Sequence, residues 1–198
     1  MKIEKIVYKN GFVNLIISKK KFLVSPEFYS NLNVNPDNIL SKDDFDKIKK
    51  EDEFNRAKES ALNSIEFSAK TESEIKNKLK RKNFTEETIE KILKFLSDYN
   101  LTNDEIYVKN YINDKIKFQR YSKRKIFYNL SAKGLDKKLI SRFLDDVPYS
   151  IEYENAMYLA EKKAKNDYSY ENKKKVYNYL SYRGFSYDII NECLDELF

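Results

Sequence analysis

Three stretches of the chain carry one spacing of apolar positions. IKNKLKRKNFTEETIEKILKFL (75–96), IFYNLSAKGLDKKLISRFLDDV (126–147) and VYNYLSYRGFSYDIINECLDEL (176–197) align without a gap, at offsets of 51 and then 50 residues. The shared frame runs Ile75, Leu79, Phe84, Ile89, Leu93, Leu96; then Ile126, Leu130, Leu135, Ile140, Leu144, Val147; then Val176, Leu180, Phe185, Ile190, Leu194, Leu197. Spacings of three and four put such positions on one helical face. The residue before the third apolar position, Asn83, Gly134 or Gly184, divides each stretch into two helices. Asn and Gly enter the left-handed αL conformation at least cost, and αL closes many helices just past their last turn. Two residues later, Thr85, Asp136 and Ser186 suit the N-cap of the next helix, and Thr71, Ser122 and Asn172 are expected to cap the helix before it.

Amphipathic stretches upstream, at residues 54–67, 105–117 and 153–165, add a first helix to each unit. Three helices in about 50 residues bury little apolar area alone, so neighbouring units are expected to pack together. Residues 1–24 follow a different pattern. Ile3, Ile6, Val7 and Tyr8, then Asn10-Gly11, then Phe12, Val13, Leu15, Ile16 and Ile17 predict a hairpin with a type I′ turn, and a third short strand is expected at 21–24. Pro26 and Pro36 bracket an expected short helix, and Ser41 reads as the N-cap of another running from Lys42 toward Lys50. The predicted fold is mostly α: three tandem three-helix repeats in an elongated, curved array behind a small hairpin or three-strand segment. The expected divisions are 1–52, 53–101, 102–150 and 151–198.

Composition agrees with a helical chain, with 35% charged residues, 41% hydrophobic ones, three glycines and three prolines. The formal charge of +6 and pI near 9.0 make an anionic partner the first expectation, nucleic acid foremost. The absence of His excludes imidazole acid–base catalysis and His metal ligation. A single cysteine, Cys193, forms no intrachain disulfide and lies on an apolar helical face, where it reads as a small buried hydrophobe. No run approaches the ~20 apolar residues of a membrane span, and a cytoplasmic location is expected. Adjacent carboxylates at Asp43-Asp44 and Asp145-Asp146 point about 100° apart on a helix and do not converge. With no phosphate loop and no nucleophile–base pair, neither catalysis nor a cofactor is expected.

Charge is segregated along the repeats. Residues 113–138 hold nine basic side chains against two acidic ones, whereas residues 139–161 hold Arg142 against five acidic ones. Stacked in register, the second helices would form a basic stripe and the third helices an acidic one, the former suited to phosphates and the latter to basic protein surface. The candidate contacts are Lys76, Lys80, Arg81, Lys82, Arg120, Lys123, Arg124, Lys125, Lys133, Lys173, Lys174 and Lys175. Charge runs on helices are also ordinary solvated faces, and basic helix ends answer the dipole. Tyr107 and Tyr111 share a face and offer base stacking, but with Ile112 beside them core packing is the expected role. Asp104 falls in a first helical turn, where an acidic side chain stabilises the helix.

The stretch LTNDEIYVKNYI (101–112), the Lys133-Gly134-Leu135 that follows it, and TESEIKNKL (71–79) together resemble the RecX family, regulators of the bacterial RecA recombinase. The resemblance covers roughly residues 54–198, with Asp104, Tyr107, Tyr111 and Gly134 as its motif positions. Val108 stands where that family often has alanine and Lys115 where it often has arginine, while Arg120-Tyr121 lacks a glycine common before the second helix. The resemblance implies a monomeric non-enzymatic protein lying in the groove of a RecA filament on single-stranded DNA. It would oppose filament growth, ATP hydrolysis or strand exchange in recombination, DNA repair and the SOS response, with weak direct nucleic-acid binding possible. The competing readings are a helix-turn-helix DNA-binding regulator and a helical-repeat adaptor between proteins.

Overall fold

The computed structural model describes residues 2–32, 34 and 39–198, which fold as two compact units, Met1–Thr102 and Asn103–Phe198. The first unit begins with an antiparallel sheet of β1 (Ile3–Lys9), β2 (Phe12–Ile17) and β3 (Lys20–Val24), in that order. Asn10 and Gly11 have φ of 53° and 76°, as a type I′ turn requires, and Lys9 pairs with Phe12 across it. The second hairpin turns at Ser18 and Lys19, also at positive φ but without a glycine to announce it. Val13, Leu15 and Ile17 alternate onto one face and, with Ile3, Phe22, Val24, Leu40 and Ile48, make a core of their own.

The helix α1 (Pro26–Leu32) follows the sheet; Pro36, expected to bound it, lies outside the described residues. Ser41 caps α2, its side chain accepting from the Asp44 amide. Two separate helices were the expectation here, but α2 is one helix of 24 residues, Lys42–Ile65. Glu51, Asp52 and Glu53 contain no breaker, and their region holds the open edge of β3. The Leu23 amide donates to Asp52 (2.6 Å) and the Ser25 amide to Glu51 (3.3 Å). Asn55 donates to the Leu23 carbonyl (3.1 Å) and Arg56 to that of Lys21 (2.8 Å). Side chains thus take the place of a fourth strand. The later part of α2 places Ala57 and Ala61 in a second core with Ile75, Leu79, Ile89, Ile92 and Leu96 from α3 (Glu72–Arg81) and α4 (Glu86–Asp98).

The second unit holds two more three-helix repeats. In one, α5 (Asp104–Gln119), α6 (Lys123–Ala132) and α7 (Lys137–Asp145) enclose Val108, Ile112, Ile126, Leu130, Leu135, Ile140 and Leu144. In the other, α8 (Tyr149–Ala164), α9 (Tyr170–Tyr182) and α10 (Tyr187–Leu197) enclose Ala156, Ala160, Val176, Leu180, Phe185, Ile190, Cys193 and Leu194 among others. Burial raises the Cys193 thiol to about 11, which keeps it protonated at neutral pH.

The turn inside each repeat is one motif made three times. Asn83, Gly134 and Gly184 have φ of 61°, 80° and 88°. The amide after each reaches back to a frame leucine: Phe84 to Leu79 (3.3 Å), Leu135 to Leu130 (3.4 Å), Phe185 to Leu180 (3.2 Å). The αL residue itself bonds the next carbonyl, Asn83 to Lys80, Gly134 to Ser131 and Gly184 to Ser181, completing a Schellman closure. The side chains of Thr85, Asp136 and Ser186 then cap the next helix. Thr71 and Ser122 cap α3 and α6, Thr71 in a full capping box with Glu74.

Asn172, expected as the third such cap, is not one. Ser169 caps α9, which begins about a turn earlier, and the Asn172 amide group instead donates to the Ala164 (2.9 Å) and Asp167 (2.6 Å) carbonyls, closing the turn before the helix. The connection there is also two residues longer. Val108 precedes Ile126 by 18 positions, whereas the corresponding Ala156 precedes Val176 by 20. That insertion hides the first-helix frame, Ala57, Val108, Ala156 and Ala61, Ile112, Ala160, from a gap-free alignment of the later helices.

Gly184 meets a second constraint. A Cβ there would sit 2.8 Å from Ser122 Oγ and 3.6 Å from the Lys125 amide, whereas a Cβ at Gly11 meets nothing within 4 Å. Both substitutions to Ala incur roughly 1 kcal/mol of αL strain, but Gly184→Ala also displaces a hydrogen-bonded serine. Urea denaturation is therefore expected to show Gly184→Ala losing at least about 2 kcal/mol and Gly11→Ala about half of that; equal losses would remove the close-approach constraint. Gly134→Val, β-branched at a φ of 80°, is likewise expected to lower the melting temperature, and an unchanged midpoint would contradict the αL role.

Candidate partner and nucleic-acid interface

The twelve basic candidates divide according to what surrounds them. On α3, Lys76 and Lys80 lie 2.6 and 3.1 Å from Glu86, the first residue of α4. The hydrogen bond to Glu86 holds Lys76 above the usual lysine range, and Lys76 holds the Glu86 carboxyl below its own. Arg81 donates to the Asn77 carbonyl (3.4 Å), and Lys82 is the exposed C-cap of α3. On α9, Lys173 pairs with Asp195 (3.6 Å), and Lys174 with Glu171 (3.6 Å) while lying 4.5 Å from the Tyr170 ring centre; Lys175 is exposed. Charges in these two helices are thus partly met by carboxylates of their own repeats.

The middle repeat is built differently. Arg120 ends α5 in αL, with φ of 50°, which explains how the chain turns there without a glycine. Its guanidinium donates to Asn155 Oδ1 (2.8 Å) and lies 3.9 Å from the Tyr158 ring centre, and Asn155 donates back to the Ile116 carbonyl (3.2 Å). The Lys123 amide donates to Glu152 (2.8 Å) and its ammonium to the Val147 carbonyl. Ser122 Oγ donates to the Arg183 carbonyl (2.9 Å), and Arg183 Nη2 to that of Gln119 (2.9 Å). Arg120 and Lys123, expected on a partner-facing stripe, therefore hold the second and third repeats together.

Around this joint, cations converge on tyrosine rings. Lys125, Arg183 and Lys115 lie 4.2, 5.4 and 5.9 Å from the Tyr121 ring centre, and Arg183 and Lys163 lie 5.9 and 5.6 Å from that of Tyr179. Among the described residues none of these four cations has a carboxylate within ion-pair distance. Arg124 is exposed, 5.7 Å from the Tyr128 ring centre, and Lys133 lies 5.6 Å from that of Tyr107. Sequence reasoning missed Arg183 in this cluster, because only the packing of the third repeat on the second brings it to Tyr121, whereas Lys163 meets Tyr179 within its own repeat.

The motif positions serve the scaffold. Tyr107 and Tyr111 stack with ring centres 6.2 Å apart and planes at 18°, half-buried against the core of their repeat. Asp104 opens α5 behind its cap Asn103, and Gly134 closes α6. The third helix of the last repeat is acidic. Glu192 and Glu196 on α10 accept hydrogen bonds from Tyr149 and Tyr153, which push the Tyr149 hydroxyl up to about 12 and raise that of Tyr153 too.

The comparisons with known proteins follow the same three-part division. Residues 57–96 match the first three-helix domain of RecX, 103–144 the second and 150–194 the third. The chain belongs to the RecX family. Curated RecX relatives, each named regulatory protein RecX, include that of Clostridioides difficile, 32% identical over 99% of this chain and 94% of the relative, and that of Finegoldia magna, 34% identical over 97% and 98%. A crystal structure of regulatory protein RecX superposes with a TM-score of 0.77 at 26% identity over 98% of both chains. RecX from Lactobacillus salivarius does so with 0.68 at 30% identity over 74% of this chain and 97% of that one. Among the described residues of this RecX chain no helix is long and apolar enough to cross a membrane.

Glu152 offers a test of the joint between the second and third repeats. Burial raises its carboxyl above the usual range, against the opposing pull of the Lys123 amide. A carboxyl raised on folding favours the folded state while protonated and takes stability away as pH climbs past its unfolded value of roughly 4.3. Glu152→Gln keeps an acceptor for Lys123, so its stability relative to the parent chain is expected to increase between about pH 4 and 7 in thermal melts. A constant difference across that range would contradict the burial of this group.

Proposed function

We propose that this chain is a non-enzymatic regulator that binds RecA and RecA filaments on single-stranded DNA, lies in the filament groove, and mainly inhibits filament growth, ATP hydrolysis and strand exchange. Its setting would be recombination, DNA repair and the SOS response in the cytoplasm. The observation that carries this reading is the ordered match to all three RecX domains, with relatives named regulatory protein RecX aligned over nearly their whole length. The divisions 1–52, 53–101, 102–150 and 151–198 belong to the same proposal, with each repeat placed against successive parts of one filament.

The distribution of charge supports it. A cationic corner without ion-pair partners and an acidic α10 in the same unit suit a composite partner of DNA phosphates and protein better than naked duplex. The helix-turn-helix alternative requires the helix after the αL turn to enter a major groove. In the last repeat that helix, YDIINECLDEL, carries Asp188, Glu192, Asp195 and Glu196 and no basic residue, which disfavours the alternative.

The test is RecA ATP hydrolysis on single-stranded DNA with and without the purified chain at physiological salt. The steady-state rate is expected to fall several-fold at stoichiometric or lower amounts of the chain. An unchanged rate together with unchanged filament growth would remove this function.

A further inference from the structure

The outer face of the sheet in the first unit holds a polar group that the fold does not satisfy. Val13, Leu15 and Ile17 turn toward the core, as do Phe22 and Val24 on the neighbouring strand, so Phe12, Asn14, Lys21 and Leu23 turn the other way. Asn14 pairs with Leu23 and Lys9 with Phe12, which brings their side chains together on that face. Asn14 is nonetheless only 4% exposed. Its Nδ2 donates to the Val7 carbonyl (3.0 Å), an acceptor that only a donor can meet, and this fixes the amide with Oδ1 as the atom left over. Among the described residues Oδ1 has no hydrogen-bond partner, and a buried acceptor in that position costs free energy until a donor reaches it.

Asn14 lines a recess of about 240 Å³ between this face and the flank of α2. Phe12 and Leu23 supply its apolar lining, and Lys9, Lys21, Arg56 and Glu59 its charges. Arg56 is held there by Asp52 (2.8 Å) and by the Lys21 carbonyl (2.8 Å), so its charge is already met. Lys9, Lys21 and Glu59 are exposed, and among the described residues none of the three side-chain charges has an ion-pair partner. The recess thus presents two uncommitted cations, one uncommitted carboxylate and one orphaned amide oxygen.

A ligand that satisfies all four groups carries two anionic ends and one cationic donor. A phosphate would answer the lysines, but it brings no donor to Asn14 and meets Glu59 as a like charge. A metal cation would suit Glu59 and Asn14, but Lys9 and Lys21 repel it. We infer that this recess is a binding site for an acidic α-amino acid, of which L-glutamate is the probe. Its two carboxylates lie on Lys9 and Lys21, its ammonium donates to Glu59 and Asn14 Oδ1, and its methylenes rest against Phe12 and Leu23. The site gives the strand-rich first unit a ligand of its own. It goes beyond the proposed function and does not rest on it.

The experiment is a titration of the isotope-labelled full chain with L-glutamate at constant ionic strength, followed through amide chemical shifts. Saturable shifts are expected at residues 9–14, 21–23 and 56–59, with a Kd of about 1 mM or tighter. Glutarate lacks the ammonium and glutamine lacks one carboxylate, so each is expected to bind at least about tenfold more weakly. Lys9→Gln with Lys21→Gln is expected to weaken glutamate binding at least about tenfold. The control Lys20→Gln, on the other side of the same strand, is expected to match the parent chain. Glu59→Gln and Asn14→Leu each weaken glutamate but not glutarate, which narrows the preference between the two.

No saturable shift at these residues up to about 20 mM glutamate overturns the inference. Equal affinity for glutarate in the parent chain also overturns it, since that result marks a patch for anions in general. So does glutamate binding that is unchanged in the lysine pair or in Glu59→Gln. Asn14→Leu removes a buried amide, and if that variant fails to fold, the exposed Glu59→Gln decides alone. Every arm is read on the chain by itself, so failure to bind glutamate leaves the effect on RecA standing, and failure to inhibit RecA leaves the glutamate site standing.

Discussion

Everything in the helical part of this protein depends on one backbone event, the left-handed residue that ends the second helix of each repeat. With φ near 60–90°, Asn83, Gly134 and Gly184 reverse the chain and aim the next amide at a frame leucine. The apolar residue that follows, Phe84, Leu135 or Phe185, then packs into the core of its repeat. The cap two residues past the turn fixes where the third helix begins. Backbone, core and cap are thus satisfied together, which is why residue identity is restricted at this position and loose around it.

At Gly184 the same turn also reaches outside its repeat. The missing Cβ lets Ser122 Oγ approach the Arg183 carbonyl, so the cap of one repeat's second helix bonds the end of the next repeat's second helix. From that contact follow Arg183 against Gln119 and the gathering of lysines around Tyr121. A packing constraint thereby produces a charged surface: Arg120 and Lys123 hold the joint, Lys115 and Lys125 gather beside it without a carboxylate, and Arg183 does both.

Much of this was legible in the sequence, for definite reasons. Frame residues, αL positions and caps are local signals at fixed spacing, and they lie where the gap-free alignment puts them. The hairpin at Asn10-Gly11 was readable because that pair has few alternatives. Longer-range facts were not readable. Asn172 looked like a cap because its two counterparts are caps, but a two-residue insertion before α9 moved the start to Ser169. The unity of α2 was obscured because one amphipathic pattern serves the sheet and another serves the first repeat. Among the candidate contacts, the charge of Arg120 and Lys123 does not tell a joint from a surface, and the place of Arg183 is illegible because its partners are 61 and 64 residues away.

The proposed function places the nucleoprotein partner on the structural joint between the second and third repeats. Amide hydrogen exchange on the intact chain, free and bound to RecA filaments on single-stranded DNA, examines it most directly. On binding, exchange is expected to slow across residues 118–123 and 182–186, with the sheet at residues 3–24 unaffected. Unchanged exchange in both corner segments, with protection appearing elsewhere in the chain, would contradict it.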